Sequence, residues 1–258
     1  MIQELEYHFY ESRQREEISL PQLQNRAKEL KSGGKFTQSE DGNWQPVGYP
    51  GFAMQAMLYP KGENQQTYAQ LKKLRDRLTD GFEDTLAPLP SPSFHQTVVN
   101  TFSDKRLEEN ITTKGLLMAF PNLIAGAVKD YAPPTHDDPV VMNLIGISFF
   151  RTAIGVLGVF ENQEHFERII QFRNFFYNHK KLTALNIERT RPFIGHVTLA
   201  YVGKELSEDQ QNKLAEHVDA INQDIKEPLP FQMKIAELCR YDDLSAYHPK
   251  YDYPSVML

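Results

Sequence analysis

Strand-like and helix-like runs alternate along this chain in two passes of the same order, which restricts the fold more than any other feature of the sequence. In the first pass FAMQAMLY (52–59) alternates as a strand whose more polar face carries Gln55 and Tyr59. QQTYAQLKKLRDRLTD (65–80) then places Tyr68, Leu71, Leu74 and Leu78 at helical spacing, and the β-branched and aromatic run FHQTVVNTF (94–102) reads as a strand. The second pass opens with two strands within 140–150 and 151–160. They lead into a long amphipathic helix, NQEHFERIIQFRNFFYNHKK, with an apolar face that includes Phe166, Ile169, Phe172 and Phe176. FIGHVTLAYVG (193–203) is the next strand, a helix starts at Ser207 with a Ser-x-x-Gln capping signature, and FQMKIAELCRY (231–241) is the last strand. Helices interleaved with strands in two similar halves predict an α+β domain of two lobes.

Two segments stand outside this plan. Residues 1–45 read as an N-terminal extension: a helix from Leu20 to Leu30 with apolar residues at 20, 23, 27 and 30, then the polar, turn-rich loop KSGGKFTQSEDGNW. Residues 104–130 read as a helical insertion, followed by the Pro-rich turn YAPPTHDDP, and the main domain is taken as 46–258.

Composition narrows the function classes. A 258-residue chain with 40% hydrophobic and 24% charged residues has a sizeable core, which excludes collagen, rod and bulk disorder. No apolar run approaches the ~18 residues of a membrane span, and the start MIQELEYHFYESRQ has neither the basic flank nor the apolar stretch of a secretory signal. Cys239 is the single cysteine, so no internal disulfide or cysteine-based zinc site can form, and a cytoplasmic monomer is expected. With 28 basic against 34 acidic residues and a net charge of -6, long nucleic acid held by a general basic surface is disfavoured, while a small anion in a local basic pocket is not.

Two strings carry chemistry: His95-Gln96-Thr97-Val98 in the first half and His196-Val197-Thr198-Leu199 in the second. Residues two apart on a strand share a face, so each His projects with its Thr. Phosphodiester hydrolysis needs a base to take a proton from water and an acid to supply one to the leaving oxygen, and two imidazoles can fill both posts. Thr hydroxyls can hold the non-bridging oxygens, so the scheme requires neither a metal nor another cofactor. Which histidine is the base depends on which oxygen leaves; the preferred assignment is His196 as base and His95 as acid.

On these motifs the chain resembles the two-histidine (2H) phosphoesterase superfamily, which includes the RNA ligase-like 2',3'-cyclic phosphodiesterases. The resemblance covers roughly residues 52–241 and is fullest at GHVTLAYVG, where Val197 and Leu199 are the flanking hydrophobics. It departs from the pattern at Gln96, where a hydrophobic residue is usual, and in the long spacing of 101 residues between the histidines, which the insertion accounts for. The resemblance implies a pseudo-symmetric fold with antiparallel sheets carrying the paired His-x-Thr strands and helices on the outer faces. It also implies catalytic roles for His95, Thr97, His196 and Thr198, and cleavage of cyclic or linear phosphodiesters on nucleotides or RNA ends.

Candidate substrate contacts are Tyr59 as a stacking ring, Arg151, which sits in an apolar hairpin where an unpaired charge is costly, Arg191 (with Arg189) just before the second motif, and Tyr241 at the end of the last strand. Other readings explain their residues in structural terms: THDDP as a solvated turn in place of a metal site, Cys239 as a buried thiol, SGGKF as a flexible loop. Two alternatives from other classes stand beside the enzyme: a non-catalytic nucleotide or RNA-end binding module, hinted at by Gln96, and a partner-binding protein using the extension and the insertion.

Overall fold

The computed structural model describes residues 2–132, 136 and 138–258. In chain order the elements are α1 (Tyr7–Glu16), α2 (Leu20–Ala27), β1 (Phe36–Gln38), β2 (Trp44–Pro46), β3 (Gly51–Met57), α3 (Gln65–Thr79), β4 (Leu86–Pro88), β5 (His95–Ser103), α4 (Lys105–Leu107) and α5 (Phe120–Val128). Then come β6 (Val140–Phe150), β7 (Ala153–Phe160), α6 (Gln163–Asn178), α7 (Lys180–Thr183), β8 (His196–Val202), α8 (Glu208–Asp224), β9 (Leu229–Met233), β10 (Ile235–Tyr241), β11 (His248–Pro249) and β12 (Ser255–Met257). Two five-stranded sheets form the lobes, every pairing in them antiparallel. The first has the order β11-β10-β3-β5 with β12 also on β10; the second has the order β4-β8-β7-β6-β9. The first histidine therefore opens an outer strand of one sheet and the second opens an inner strand of the other, and β5 and β8 meet where the lobes face each other. Helices α3 and α8 cover the second sheet, and α6 packs across β5, β6 and β7.

Local chemistry explains the elements that hold this frame. Helix α6 starts where the Asn162 side chain accepts a hydrogen bond from the His165 amide (2.9 Å), and it buries Phe166, Ile169, Phe172 and Phe176 on the face its periodicity assigned to the core. At α8 both halves of the capping box form between Ser207 and Gln210 (3.3 and 2.9 Å). Within 104–130 only 105–112 and 120–128 are helical, with turns between them, and Phe120 and Ile124 of α5 reach the main core.

The structure departs from the sequence expectation at four places. FQMKIAELCRY is two strands, because at Lys234 the chain leaves the second sheet (Val140 opposite Met233) and enters the first (Ile235 opposite Met257) without any Gly or Pro to signal the switch. The helix expected to run through 181 breaks at His179, whose ψ of 123° is extended, so α7 is a separate turn. The polar run after Lys31 contains the β1–β2 hairpin, closed at Gly42 with φ +83°. And the helix expected over 20–30 ends at Ala27 and is preceded by a further helix, α1, that was not expected; Tyr10, Leu23 and Ala27 of the two are buried in the common core.

The N-terminal helix serves the approach to β8. Tyr10 and Gln14, one turn apart on α1, both donate to the Gly158 carbonyl, and Gln14 also donates to the Gly195 carbonyl at 2.8 Å. Gly195 permits this contact, since any Cβ there would collide with the Tyr10 hydroxyl and with Met142. The residue just before His196 is thus held from one side by α1 and from the other by the Gly158 amide (2.9 Å).

Candidate active site

His95, Thr97, His196 and Thr198 line one groove of about 350 Å³ at the meeting of the two sheets. Each histidine is the first residue of its strand, and each Nδ1 lies against the carbonyl two residues earlier: Ser93 at 2.7 Å for His95 and Ile194 at 3.0 Å for His196. A carbonyl can only accept, so both rings carry the proton on Nδ1 and keep the Nε2 lone pair. The Thr97 hydroxyl donates to Nε2 of His95 at 3.1 Å. The match extends to the neighbouring strands, where a register shift falls beside each threonine: Met54/Gln55 opposite Thr97 and Ile154/Gly155 opposite Thr198. Such bulges turn a strand locally and re-aim its side chains.

Aromatic rings wall the histidines. Tyr247 lies 4.2 Å from the His95 ring and Phe150 lies 4.8 Å from the His196 ring, centroid to centroid. Burial against these walls disfavours the imidazolium, lowering His95 to about 4 and His196 to about 3. At His196 the nearby Arg191 guanidinium adds to the effect.

Gln96, the position that departs from the family pattern, is fully buried and joins the lobes. Its Oε1 accepts the His196 amide at 2.6 Å, and its Nε2 donates to the Thr97 carbonyl (2.7 Å) and to the Ile194 carbonyl (3.3 Å). That last carbonyl also anchors the His196 ring, so one side chain of the first motif fixes the backbone that aims the second. The Gln96→Leu variant, which restores a hydrophobic residue, is expected to lose about 1–3 kcal/mol of stability in urea, because the His196 amide is left buried without its acceptor. An unchanged denaturation midpoint would show that the amide finds another partner.

Of the proposed substrate contacts, Arg191 and Tyr241 line the groove, and Tyr59 and Arg151 are not among its walls. Strand β3 is buried on both faces and ends at Met57, so it has no polar face to present Tyr59. That ring is 41% exposed and its hydroxyl donates to Glu237 at 3.3 Å. Arg151 is outside the strands altogether: it occupies the β6–β7 turn with φ +37° and is exposed, so the desolvation cost that argued for a place in the cleft does not arise. Arg189 is buried against Glu4 (3.2 Å) and Asn174 (2.6 Å).

Several groove residues had no signal in the motifs. Lys35, from the run read as a flexible loop, lines the groove with its ammonium 3.2 Å from the centre of the Tyr49 ring. Tyr201 and Tyr247 also line it beside the expected Tyr241, and burial raises all three hydroxyls above the ordinary tyrosine range, so they remain donors. Gln55, only 1% exposed, lines the groove with its Oε1 unpartnered among the described residues. A polar residue in the middle of FAMQAM was its only trace in the sequence.

The residues set aside as structural have structural partners. Cys239 is buried and its thiol is pushed up to about 12. In THDDP, Thr135 and Asp137 lie outside the described residues. His136 faces Glu164 at 3.5 Å, and Asp138 meets His165 (3.1 Å) and Arg168 (3.3 Å). Among the described residues no group of three or more His, Cys, Asp or Glu side chains converges as a metal site, and no helix is long and apolar enough to cross a membrane.

Two antiparallel lobes each contribute a strand that starts with a His-x-Thr pair to a shared groove, which is the two-lobed α+β arrangement that the resemblance implied. Comparison with solved structures places the chain beside ATU0111 of Agrobacterium tumefaciens, a conserved protein of unknown function. The TM-score is 0.62 at 18% identity, over 84% of this chain and 90% of that one. TT0787 of Thermus thermophilus (TM-score 0.43, 13% identity, 73% and 87% covered) and Usb1 of Kluyveromyces marxianus (0.40, 12%, 79% and 98%) also match. No family model and no curated protein matches the sequence.

Proposed function

We propose that the chain is a metal-independent phosphodiesterase that hydrolyses a small cyclic or short nucleotide phosphodiester, of the 2',3'-cyclic phosphate type, by paired-histidine acid–base catalysis. The observation that carries this reading is the matched tether: two imidazoles in one groove, each oriented by a carbonyl two residues before it so that Nε2 is the working nitrogen. In this scheme the neutral His196 takes a proton from water, whose oxygen bonds to phosphorus, while protonated His95 gives its proton to the departing ribose oxygen as that P–O bond breaks. The Thr97 and Thr198 hydroxyls donate to the non-bridging oxygens, and Arg191 offsets the charge that builds on them. Burial, with Arg191 adding to it, keeps the His196 ring neutral and supports its assignment as the base. The groove volume suits one nucleotide, and a chain at -6 has no general field to draw in a long strand. Gln96, which had favoured a non-catalytic module, is accounted for by its clamp on the second motif.

The test is a hydrolysis panel of mononucleoside 2',3'-cyclic phosphates, cyclic dinucleotides, 2'-5' linked oligonucleotides and a structured RNA, each run with and without EDTA and with a His95→Ala control. Turnover of the small cyclic phosphates that is indifferent to EDTA is expected. Turnover confined to the structured RNA, with affinity falling steeply as salt rises, would overturn the reading.

The histidine environments also set a pH dependence. The base works only above its value of about 3, and the acid is protonated only below about 4, so in the free enzyme the productive form thins tenfold for each pH unit above about 4. A bound phosphodiester anion raises His95 and preserves the active form. The kcat/KM optimum is therefore expected at a lower pH than the kcat optimum. The reverse order in full pH–rate profiles would contradict this assignment.

A further inference from the structure

Beside the groove lies a second cavity of about 370 Å³, walled by α1, α2 and the turn between β6 and β7. Four arginines, Arg13, Arg26, Arg151 and Arg191, line it against two carboxylates, Glu17 and Glu29. The carboxylates are already engaged: both contact Arg26, Glu17 at 2.9 Å and Glu29 at 3.3 Å. That divides the cavity into a neutralised end and an end holding Arg13, Arg151 and Arg191. Among the described residues the guanidinium groups of Arg151 and Arg191 have no ion pair or hydrogen bond, and Arg13 donates only to the Phe193 carbonyl (3.0 Å). Burial disfavours the charged form of Arg191, and repulsion from Arg173 and, more weakly, from Arg13 adds to it. Arg13 also feels the carboxylates of Glu17 and Glu4, so the guanidinium groups of Arg151 and Arg191 are the ones left to receive an anion.

This cavity shares two walls with the catalytic groove, Arg191 and Phe150, and Phe150 is the ring that packs on His196. We propose that it is a second anion site, which holds a second phosphate group of the same substrate molecule whose scissile phosphodiester lies between His95 and His196. Resting on the function proposed above, this narrows the substrate class to nucleotides that carry another phosphate next to the cyclic one. Two sources have the same chemistry: a terminal 5'-phosphate on a mononucleotide, or the internal phosphodiester of a short oligonucleotide.

The experiment compares kcat/KM for adenosine 2',3'-cyclic phosphate, its 5'-phosphorylated form, and a 5'-hydroxyl dinucleotide ending in a 2',3'-cyclic phosphate, in the wild type and in Arg151→Asn. Asparagine tolerates the positive φ at this exposed turn, so the variant removes the charge without straining the fold. The expected result is a tenfold or greater preference of the wild type for one of the two substrates with a second phosphate, falling to within twofold of unity in the variant. Whichever of them carries the preference identifies the source. Turnover of the parent compound with no preference for either would overturn the second site and leave the proposed function standing. If none of the three is turned over, the proposed function fails, and titration of inorganic pyrophosphate decides the site by itself. Binding that weakens at least fivefold in Arg151→Asn upholds an anion site, and no binding, or equal binding, overturns it.

Discussion

A His196→Ala enzyme is expected to turn over a nucleoside 2',3'-cyclic phosphate at least 10²-fold more slowly than the wild type, the lower bound of what a positioned general acid or base contributes. Under the proposed mechanism the loss should appear in kcat, where the imidazole would act on the water proton in the transition state, and only weakly in KM, since Thr198 and Arg191 would still hold the phosphate. The same reasoning applies to His95→Ala, and the double variant should be little worse than either single one, since an acid without its base has no reaction to serve. Stability is a separate matter: the His196 ring donates to one carbonyl that Gln96 also satisfies, so the variant should keep its fold. A folded His196→Ala protein with full activity would end the two-histidine mechanism.

The second large effect is expected on stability, from a residue far from the reacting atoms. The Glu4 carboxylate accepts from Arg173 at 2.7 Å and from the Phe193 amide at 2.6 Å and pairs with Arg189 at 3.2 Å, all three charged side chains being only 5% exposed. Removing one partner from a buried ion pair leaves an uncompensated charge and costs about 3–5 kcal/mol; Glu4→Ala leaves two guanidinium groups in that state. Urea denaturation should register the loss. A change below about 1 kcal/mol, the range of exposed pairs, would mean that water reaches the cluster. Under the proposed mechanism activity should fall as well, since Glu4 holds Phe193, three residues before His196.

How legible the molecule was depends on whether the information is local. The His-x-Thr strands, the α6 face and the Ser207 capping box obey short-range rules, a period of two, a period of 3.6 and a three-residue cap, and each can be read from a window of a few residues. What escaped was long-range. Nothing near Lys234 announces that β9 and β10 belong to different sheets, because the reason lies in their partners, β6 and β3. Tyr10 and Gln14 read as part of an extension because their acceptors are nearly 150 or more residues away, and Arg151 read as a strand residue because apolar neighbours on both sides hid a two-residue turn. Lys35 and Tyr247 reach the groove from loops, where no periodicity points a side chain.

The arrangement of the first sheet bears on how the molecule comes to exist at all. Strand β3 lies between β5, which follows it by some forty residues, and β10, which lies almost at the other end of the chain. During synthesis the lobe that carries His95 therefore has an exposed hydrophobic edge, Phe52 to Gln55, from the time β3 emerges until Ile235 to Tyr241 are made. Pairings this distant in sequence are slow to form because the intervening loop must be closed first. Nascent chains halted before β10 would bear an unpaired template for joining other copies, so yield in the cell should be governed by the rate at which β10 is delivered.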